Sequence, residues 1–426
     1  MEIREYPPVG ERVYEHKLPG GLTVLVVPKR GFYKSCAYFA ANYGGADRRF
    51  RLDGDWIETP GGIAHFLEHK LFDTATGDAM TKLSVNGASP NAFTSNDMTA
   101  YYFTCIDMFP ENLRILLDFV STPYFTPESV QKEQGIITQE ILMCDDDPDY
   151  CLYYGLMKSL FRSHPQREPV AGSVDSIARI TPDMLYDCHK AFYDMENMAL
   201  CVAGDVDPSE VADIAGEALR DSPPSRGIVP KRDYGPAESL APESPRFSDE
   251  MEISLPIFLA GCKTAPAMPG LDALKLEIIA DLALDVLAGH SSPLYFRLYR
   301  EGLIGADFSP AFDCSAGAAC MFFGGESRDP ERVFDEVKRE IRTIAENGVD
   351  KALLERVKKA AIGGNIRMWN SFDAICGNLA ESFFKGYDSF LAPEIISGVE
   401  DDDISAFLRD RMLPGHMAFS VITPRN

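Results

Sequence analysis

A chain of 426 residues, 45% hydrophobic and 11% aromatic, has enough apolar material for two globular domains with their own cores, which sets aside the disordered class. Its 65 acidic against 41 basic side chains give a formal net charge of −24 with no Lys/Arg run, and this argues against a nucleic-acid binder, which needs a basic face. The first residues alternate charges with prolines and lack the apolar core of a signal peptide, and no later stretch approaches a membrane span. The expectation is a cytoplasmic protein without membrane contact. Ten scattered cysteines with no CxxC pair read as small core residues in a reducing compartment.

Taken in chain order, the run Leu22-Thr-Val-Leu-Val-Val27 has the content of a strand. A helix is predicted within Gly62-Ile-Ala-His-Phe-Leu-Glu-His-Lys-Leu-Phe72, because Ile63, Phe66, Leu67 and Leu71 recur at helical spacing and Gly61-Gly62 offers a flexible lead-in. At about 100° per residue, His65 and His69 fall on one face one turn apart, with Glu68 displaced beside them. Composition alone would produce this HxxEH pattern in a chain of such size on the order of 1% of the time. Zinc in a hydrolytic site takes three ligands from His and carboxylate and keeps a fourth position for water, so one ligand remains to be found.

The best candidate lies in the helix predicted from Thr126 to Leu142, which opens with a Thr N-cap and a Pro at its first position. Glu133 and Glu140 stand seven residues apart on it and point the same way, so one can bind metal while the other supports it through a hydrogen bond. Asp145-Asp146-Asp147 before Pro148 read as a helix stop and solvated turn. His189 beside Cys188 sits in an amphipathic helix with no sign of an activated nucleophile. Met198-Ala-Leu-Cys-Val-Ala203 reads as a strand. Six prolines and mixed charges between 223 and 250 then mark a seam. The domain expectation is 1–222, a Pro-rich linker 223–247, and 248–426. Downstream the same mixture recurs and ends in the strand Met417–Ile422, while Asp401-Asp402-Asp403 stabilise the start of a helix. The segments Asn197–Gly204 and His416–Thr423 each follow a helix and lead out of a half, a trace of internal duplication.

The run Gly62-Ile-Ala-His65-Phe-Leu-Glu68-His69 resembles the signature of the pitrilysin/insulinase family, which combines HxxEH with a glutamate well downstream; here seventy residues lie between His69 and Glu140. The match continues at Asn91-Ala-Phe-Thr-Ser95 with Tyr101-Tyr102, at Glu133 and Glu140, at Leu160–Pro165 with Gly172-Ser173, and at Asn197–Gly204. The resemblance implies a zinc metalloendopeptidase in which His65, His69 and Glu140 hold Zn2+, Glu68 is the general base and Glu133 is the supporting carboxylate. Asn91 and Ala92 would line the cleft on an edge strand that a peptide substrate joins by main-chain hydrogen bonds, with Phe93 in a pocket. The implied fold is α+β, with two repeated domains, each a mixed, mostly antiparallel sheet covered by helices, together half of a clamshell chamber. The first repeat would be catalytic and zinc-binding, the second degenerate and non-catalytic.

A full chamber would need a second subunit, so a dimer is implied. Gly289 to Leu303 extends the resemblance into the second half, with a departure. Where family members show an Arg in this helix and a Tyr shortly after Gly-Leu, holding the substrate backbone, this sequence has Tyr299 with Arg300 next to it, and then Gly305-Ala306-Asp307. The partner is therefore expected to be a paralogous subunit that carries the Arg/Tyr pair. Two other roles fall within the resemblance: a peptide-maturation or protein-modification accessory subunit, associated with elongation factor P, and a non-catalytic assembly subunit. The intact HxxEH with Glu133 and Glu140 speaks against the second, since an assembly role places no demand on Glu68.

Overall fold

In the computed structural model, which describes residues 1–222, 225–227 and 230–425, the apolar runs of the first half build one seven-stranded sheet. Its strands are β1 (Glu2–Tyr6), β2 (Glu11–Lys17), β3 (Thr23–Pro28), β4 (Ser35–Ala41), β5 (Ser89–Thr94), β6 (Thr99–Cys105) and β7 (Met198–Gly204). They lie in the order β1-β2-β3-β7-β4-β6-β5, antiparallel except where β7 runs parallel to β3. Against one face pack α1 (Ile63–Leu71), α2 (Ala79–Val85), α3 (Phe109–Ser121) and α4 (Pro127–Asp145). Phe66, Leu67 and Leu71 of α1, Leu113, Leu116, Leu117 and Val120 of α3, and Val130, Ile137 and Ile141 of α4 share one core with Val26, Phe39 and Tyr101 of the sheet. Each such side chain contributes about 1.5–3 kcal/mol by leaving water.

The predicted glycine lead-in to α1 is a close approach. Gly62 is the N-cap with φ 91, and a Cβ there would stand 2.5 Å from the carbonyl oxygen of Ala171. The Ser176 hydroxyl donates to the Gly61 carbonyl at 2.7 Å, so the start of α1 is tied to the 171–176 segment. α4 starts at Pro127 as its signals predict, with the Ser129 N–H donating to the Thr126 hydroxyl oxygen at 3.2 Å. It runs on to Asp145, and Asp147 then accepts from the N–H groups of Asp149 and Tyr150 to cap the next helix. The three aspartates are thus a helix end and a cap.

The second sheet contains β8 (Arg246–Met251), β9 (Ile257–Thr264), β10 (Ser309–Ser315), β11 (Ala318–Glu326) and β12 (Ala418–Pro424). Its order β8-β12-β9-β11-β10, with only β8 and β12 parallel, repeats β3-β7-β4-β6-β5 strand for strand. β7 and β12, the two segments that carry the duplication trace, occupy the same place in their sheets. On one face, Leu156, Met157 and Leu160 of α5 (Pro148–Leu160) meet Ala318, Cys320 and Ala418. With this sheet belong α6 (Leu271–Ala288), α7 (Pro293–Arg300) and α8 (Pro330–Asn347), and Phe334 of α8 stacks on Phe419 of β12 with centroids 5.0 Å apart.

The packing interleaves the halves. One compact unit comprises Met1–Ile141, Pro169–Tyr234 and Ile366–Ser389; the other comprises Leu142–Glu168, Gly235–Asn365 and Phe390–Asn426. These units cross the boundaries expected at 222 and 248, because α5 packs on β8, β9 and β12 whereas α9 (Phe372–Lys385) packs on β4 and β7 of the first sheet. The centre of the first sheet is therefore covered on both faces, and β4 and β7 are buried along their whole length. That is why both read as continuous apolar runs without alternation. Of the expected linker 223–247, residues 223, 224, 228 and 229 lie outside the described residues, as does residue 426 of the expected second repeat.

Glu238 anchors the later part of the proline seam within the second unit. Its carboxylate accepts from the N–H groups of Arg162, Ser163 and His164 at 3.1, 2.7 and 2.9 Å and lies 3.4 Å from Lys263 Nζ. Burial by itself would raise this carboxyl, but the three amides and the ammonium outweigh burial and bring its pKa to about 2, against an ordinary 4.5. A depressed folded pKa means that the stabilisation is complete above pH 4.5 and is lost as pH falls toward 2. Glu238→Gln should cost about 1–3 kcal/mol at neutral pH. The gap to the parent chain, read from urea denaturation midpoints, should close across that acidic window.

Candidate metal centre

α1 presents His65 and His69 from one face, their rings edge to face with centroids 4.6 Å apart. Glu140 reaches both from α4, with Oε1 3.5 Å from His65 Nε2 and Oε2 3.6 Å from His69 Nε2. One ligand atom from each of the three side chains lies within 4.8 Å of the other two, and no other group of His, Cys, Asp or Glu among the described residues meets that condition. Tetrahedral ligands about 2.1 Å from zinc stand roughly 3.4 Å from one another, so the spacing fits the ion. Two imidazoles and a carboxylate also form the donor set of hydrolytic zinc sites that keep one position open.

The surroundings act on the two imidazoles in opposite directions. Burial, reinforced by neighbouring His69, holds His65 at about 4, so its imidazole is neutral at physiological pH. Burial also pulls His69 down, but the hydrogen bond to Glu133 and the charges of Glu68, Glu133 and Glu140 outweigh it, and the net direction is up. Glu133 Oε1 stands 3.0 Å from His69 Nδ1, which fixes the proton there and turns Nε2 toward Glu140. Glu68 is only 7% exposed. Burial pushes its carboxyl up, and the Thr94 hydroxyl, which donates to Oε2 at 2.6 Å, opposes that shift.

The five residues predicted on α1 and α4 thus come together, while those on β5 divide. β5 is the outermost strand, with Asn91 exposed and Ala92 and Phe93 partly buried. The Asn91 side chain accepts from the Ala92 N–H at 2.9 Å. Thr94 meets Glu68, whereas the Phe93 ring lies against Tyr38 and Tyr102, at centroid distances of 6.5 and 6.3 Å. Successive side chains alternate across a strand, so Phe93 turns to the opposite sheet face from the carboxylate of Glu68. Sequence reasoning names Thr94 only as part of Asn91–Ser95, because its contact depends on strand register. On α7, Tyr299 is exposed and stacks on Tyr295 at 5.8 Å, and Arg300 is exposed without an ion pair among the described residues. Cys188 is buried with its thiol pushed up to about 12 by burial, and His189 Nε2 bonds the Val120 carbonyl at 2.9 Å, so this pair forms no activated nucleophile.

Residues 54–174 match the profile described as insulinase (peptidase family M16), and residues 179–361 match the one described as peptidase M16 inactive domain. The protein named as uncharacterized zinc protease YmfH, of Bacillus subtilis (strain 168), is 34% identical over 429 residues, covering 99% of both chains. A protein of Streptomyces coelicolor, likewise named as an uncharacterized zinc protease, is 27% identical, covering 96% of this chain and 88% of its own. The crystal structure of an M16-like peptidase from Alicyclobacillus acidocaldarius superposes with a TM-score of 0.95 at 30% identity, over 99% of this chain and 100% of that one. Pitrilysin shares the fold at a TM-score of 0.78 and 16% identity, over 97% of this chain and 45% of its own. No helix among the described residues is long and apolar enough to cross a membrane.

Relatives named as zinc proteases make zinc the cofactor, and His65, His69 and Glu140 form a group of a size that could bind it. A proton and a metal compete for the same imidazole nitrogen. Because His69 titrates above the ordinary 6.5, zinc affinity should already weaken as pH falls through that value and drop further below it. Competition against a chelator between about pH 5.5 and 8 measures the trend, and an affinity that is flat across the range would contradict it.

Proposed function

The chain belongs to the insulinase family, peptidase family M16, and from that premise we propose that it cleaves unfolded peptides or oligopeptides, with His65, His69 and Glu140 as the zinc ligands and Glu68 as general base. The observation that carries this reading is a buried carboxylate on the same helix as two histidines whose ring nitrogens share a third partner, Glu140, from another helix. Zinc, when bound, supplies Lewis acidity that polarises the scissile carbonyl and lowers the pKa of water.

The chain's own residues do the rest. Glu68 takes the proton of the attacking water and delivers it to the leaving amine, and a carboxyl raised by burial suits a group that must act as base and then as acid. Glu133 keeps the His69 ring turned inward. The open edge of β5, at Asn91 and Ala92, offers main-chain groups to an extended peptide, which gives binding with loose sequence rules. Side chains of such an added strand would alternate between the face of Glu68 and that of Phe93.

An enclosed chamber is supported by length. The chain matches 45% of pitrilysin, so two chains of this size amount to one pitrilysin. We therefore read the working form as a dimer, with the exposed Tyr299 and Arg300 leaving room for a paralogous partner that supplies an Arg/Tyr pair. The native mass of the active assembly tests that reading.

Glu68→Gln should lower hydrolysis of a quenched-peptide library by about 100- to 10,000-fold, the usual weight of a general base, while zinc stays bound. Glu140→Ala should lose both zinc and activity, whereas Glu133→Ala should weaken zinc affinity by roughly 10- to 100-fold. Metal analysis after dialysis, run beside the peptide assay, separates the three roles. Near-parental turnover in Glu68→Gln would sink the base assignment, and zinc retained by Glu140→Ala but lost by Glu133→Ala would exchange the two glutamates.

A further inference from the structure

We propose that Thr94 is a positioning residue that holds Glu68 in its working orientation, an inference that rests on the reading of Glu68 as the base. A buried carboxylate needs hydrogen-bond donors. Among the described residues Thr94 is the only hydrogen-bond donor to Glu68, and at 2.6 Å its hydroxyl is at the short end of O–H···O distances, as charge-assisted bonds are. The bond engages Oε2, which leaves Oε1 to meet the water proton. A glutamate on a helix has three rotatable bonds, so one fixed oxygen removes most of the freedom that would blur its aim.

Thr94 is itself held from behind. It pairs directly with Thr99 across the β5–β6 ladder. Thr99 is fully buried, donates to the Tyr43 carbonyl at 2.8 Å and has its oxygen 3.4 Å from that of Thr94. The connecting turn is closed by Ser95 N–H to Met98 C=O at 2.8 Å, and the Ser95 hydroxyl oxygen accepts from the Met98 N–H at 3.1 Å. Gly45 and Ala46 donate to the carbonyls of Ser95 and Asn96 at 2.8 and 3.0 Å. The approach is so close that a Cβ on Gly44 would stand 2.3 Å from backbone atoms of Asn96 and Asp97. Beneath it the fully buried Asp47 accepts from the Gly44 N–H at 3.0 Å and pairs with Arg232 at 2.9 Å. The hydroxyl of Thr94 therefore stands on backbone fixed at both ends. Its branched side chain also has few χ1 choices, unlike serine.

The test compares Thr94→Val, which keeps the shape and branching but removes the donor, with Thr94→Ser, which keeps the donor. In the zinc-loaded chain, Thr94→Val should lower kcat by about 10- to 100-fold with KM nearly unchanged, and Thr94→Ser should recover most of the loss. Added to Glu68→Gln, Thr94→Val should cost nothing further, because both act through one group. Crystals of the zinc-free variants give a readout independent of turnover: Glu68 should leave its single orientation in Thr94→Val and keep it in Thr94→Ser. The proposal is overturned by an unmoved Glu68 in Thr94→Val, by an unchanged kcat, by a rise in KM alone, or by loss of zinc or folding in both variants. An active Glu68→Gln strikes the base reading, whereas an inactive Glu68→Gln beside a fully active Thr94→Val strikes only the role of Thr94.

Discussion

Two imidazoles one helical turn apart serve a metal only if a third donor stands at bonding range of both, so the separation of α1 and α4 is the constraint on which the first unit depends. It is set by opposite faces of the same helices. Phe66, Leu67 and Leu71 press α1 into the core, and Val130, Ile137 and Ile141 do the same for α4, while their other faces bring His65, His69, Glu133 and Glu140 together. A volume change in either apolar stripe would be felt at these four side chains, because close-packed cores transmit displacement. The seam between Gly62 and Ala171 fixes where α1 starts and hence which residues face α4.

The same arrangement gathers three carboxylates, Glu68, Glu133 and Glu140, around two imidazoles. Without a cation the hydrogen bond to Glu133 and the attraction of the three negative charges raise His69, and a divalent ion would neutralise the same excess of negative charge, so metal binding and local stability are coupled. The second sheet shows that the topology does not require this chemistry. Between β9 and β10, where the first repeat has α1, the chain has α6, which contains no histidine and buries Leu274, Leu282, Leu284 and Leu287. One strand order thus supports a helix that carries two histidines in one repeat and a helix without any in the other.

What was legible in the sequence is what local spacing encodes. HxxEH and the seven-residue interval from Glu133 to Glu140 place side chains on a helix face whatever else the chain does, and β7 and β12 are apolar enough to be read as strands. Contacts set by register or by distant packing were not legible. Phe93 and Thr94 are neighbours in one motif, yet alternation sends one to Tyr38 and the other to Glu68. The proline seam marks where the chain passes between halves, but α5 and α9 carry apolar faces that say only that each packs on something. Which sheet receives them depends on the tertiary fold, so boundaries drawn along the chain and units drawn by packing differ.

The placement of α9 also bears on synthesis. The last strand of the first sheet is complete at Gly204, but the helix that shields Cys36, Tyr38 and Cys201 arrives only at Phe372–Lys385, after four strands of the second sheet. At translation rates of about 5–20 residues per second, a nascent first sheet waits roughly ten seconds or more with an apolar face uncovered. Throughout that interval the half-made chain resembles an aggregation-prone intermediate. Release of the later half from the ribosome, rather than completion of the metal-binding segment, sets the moment at which the first unit can close.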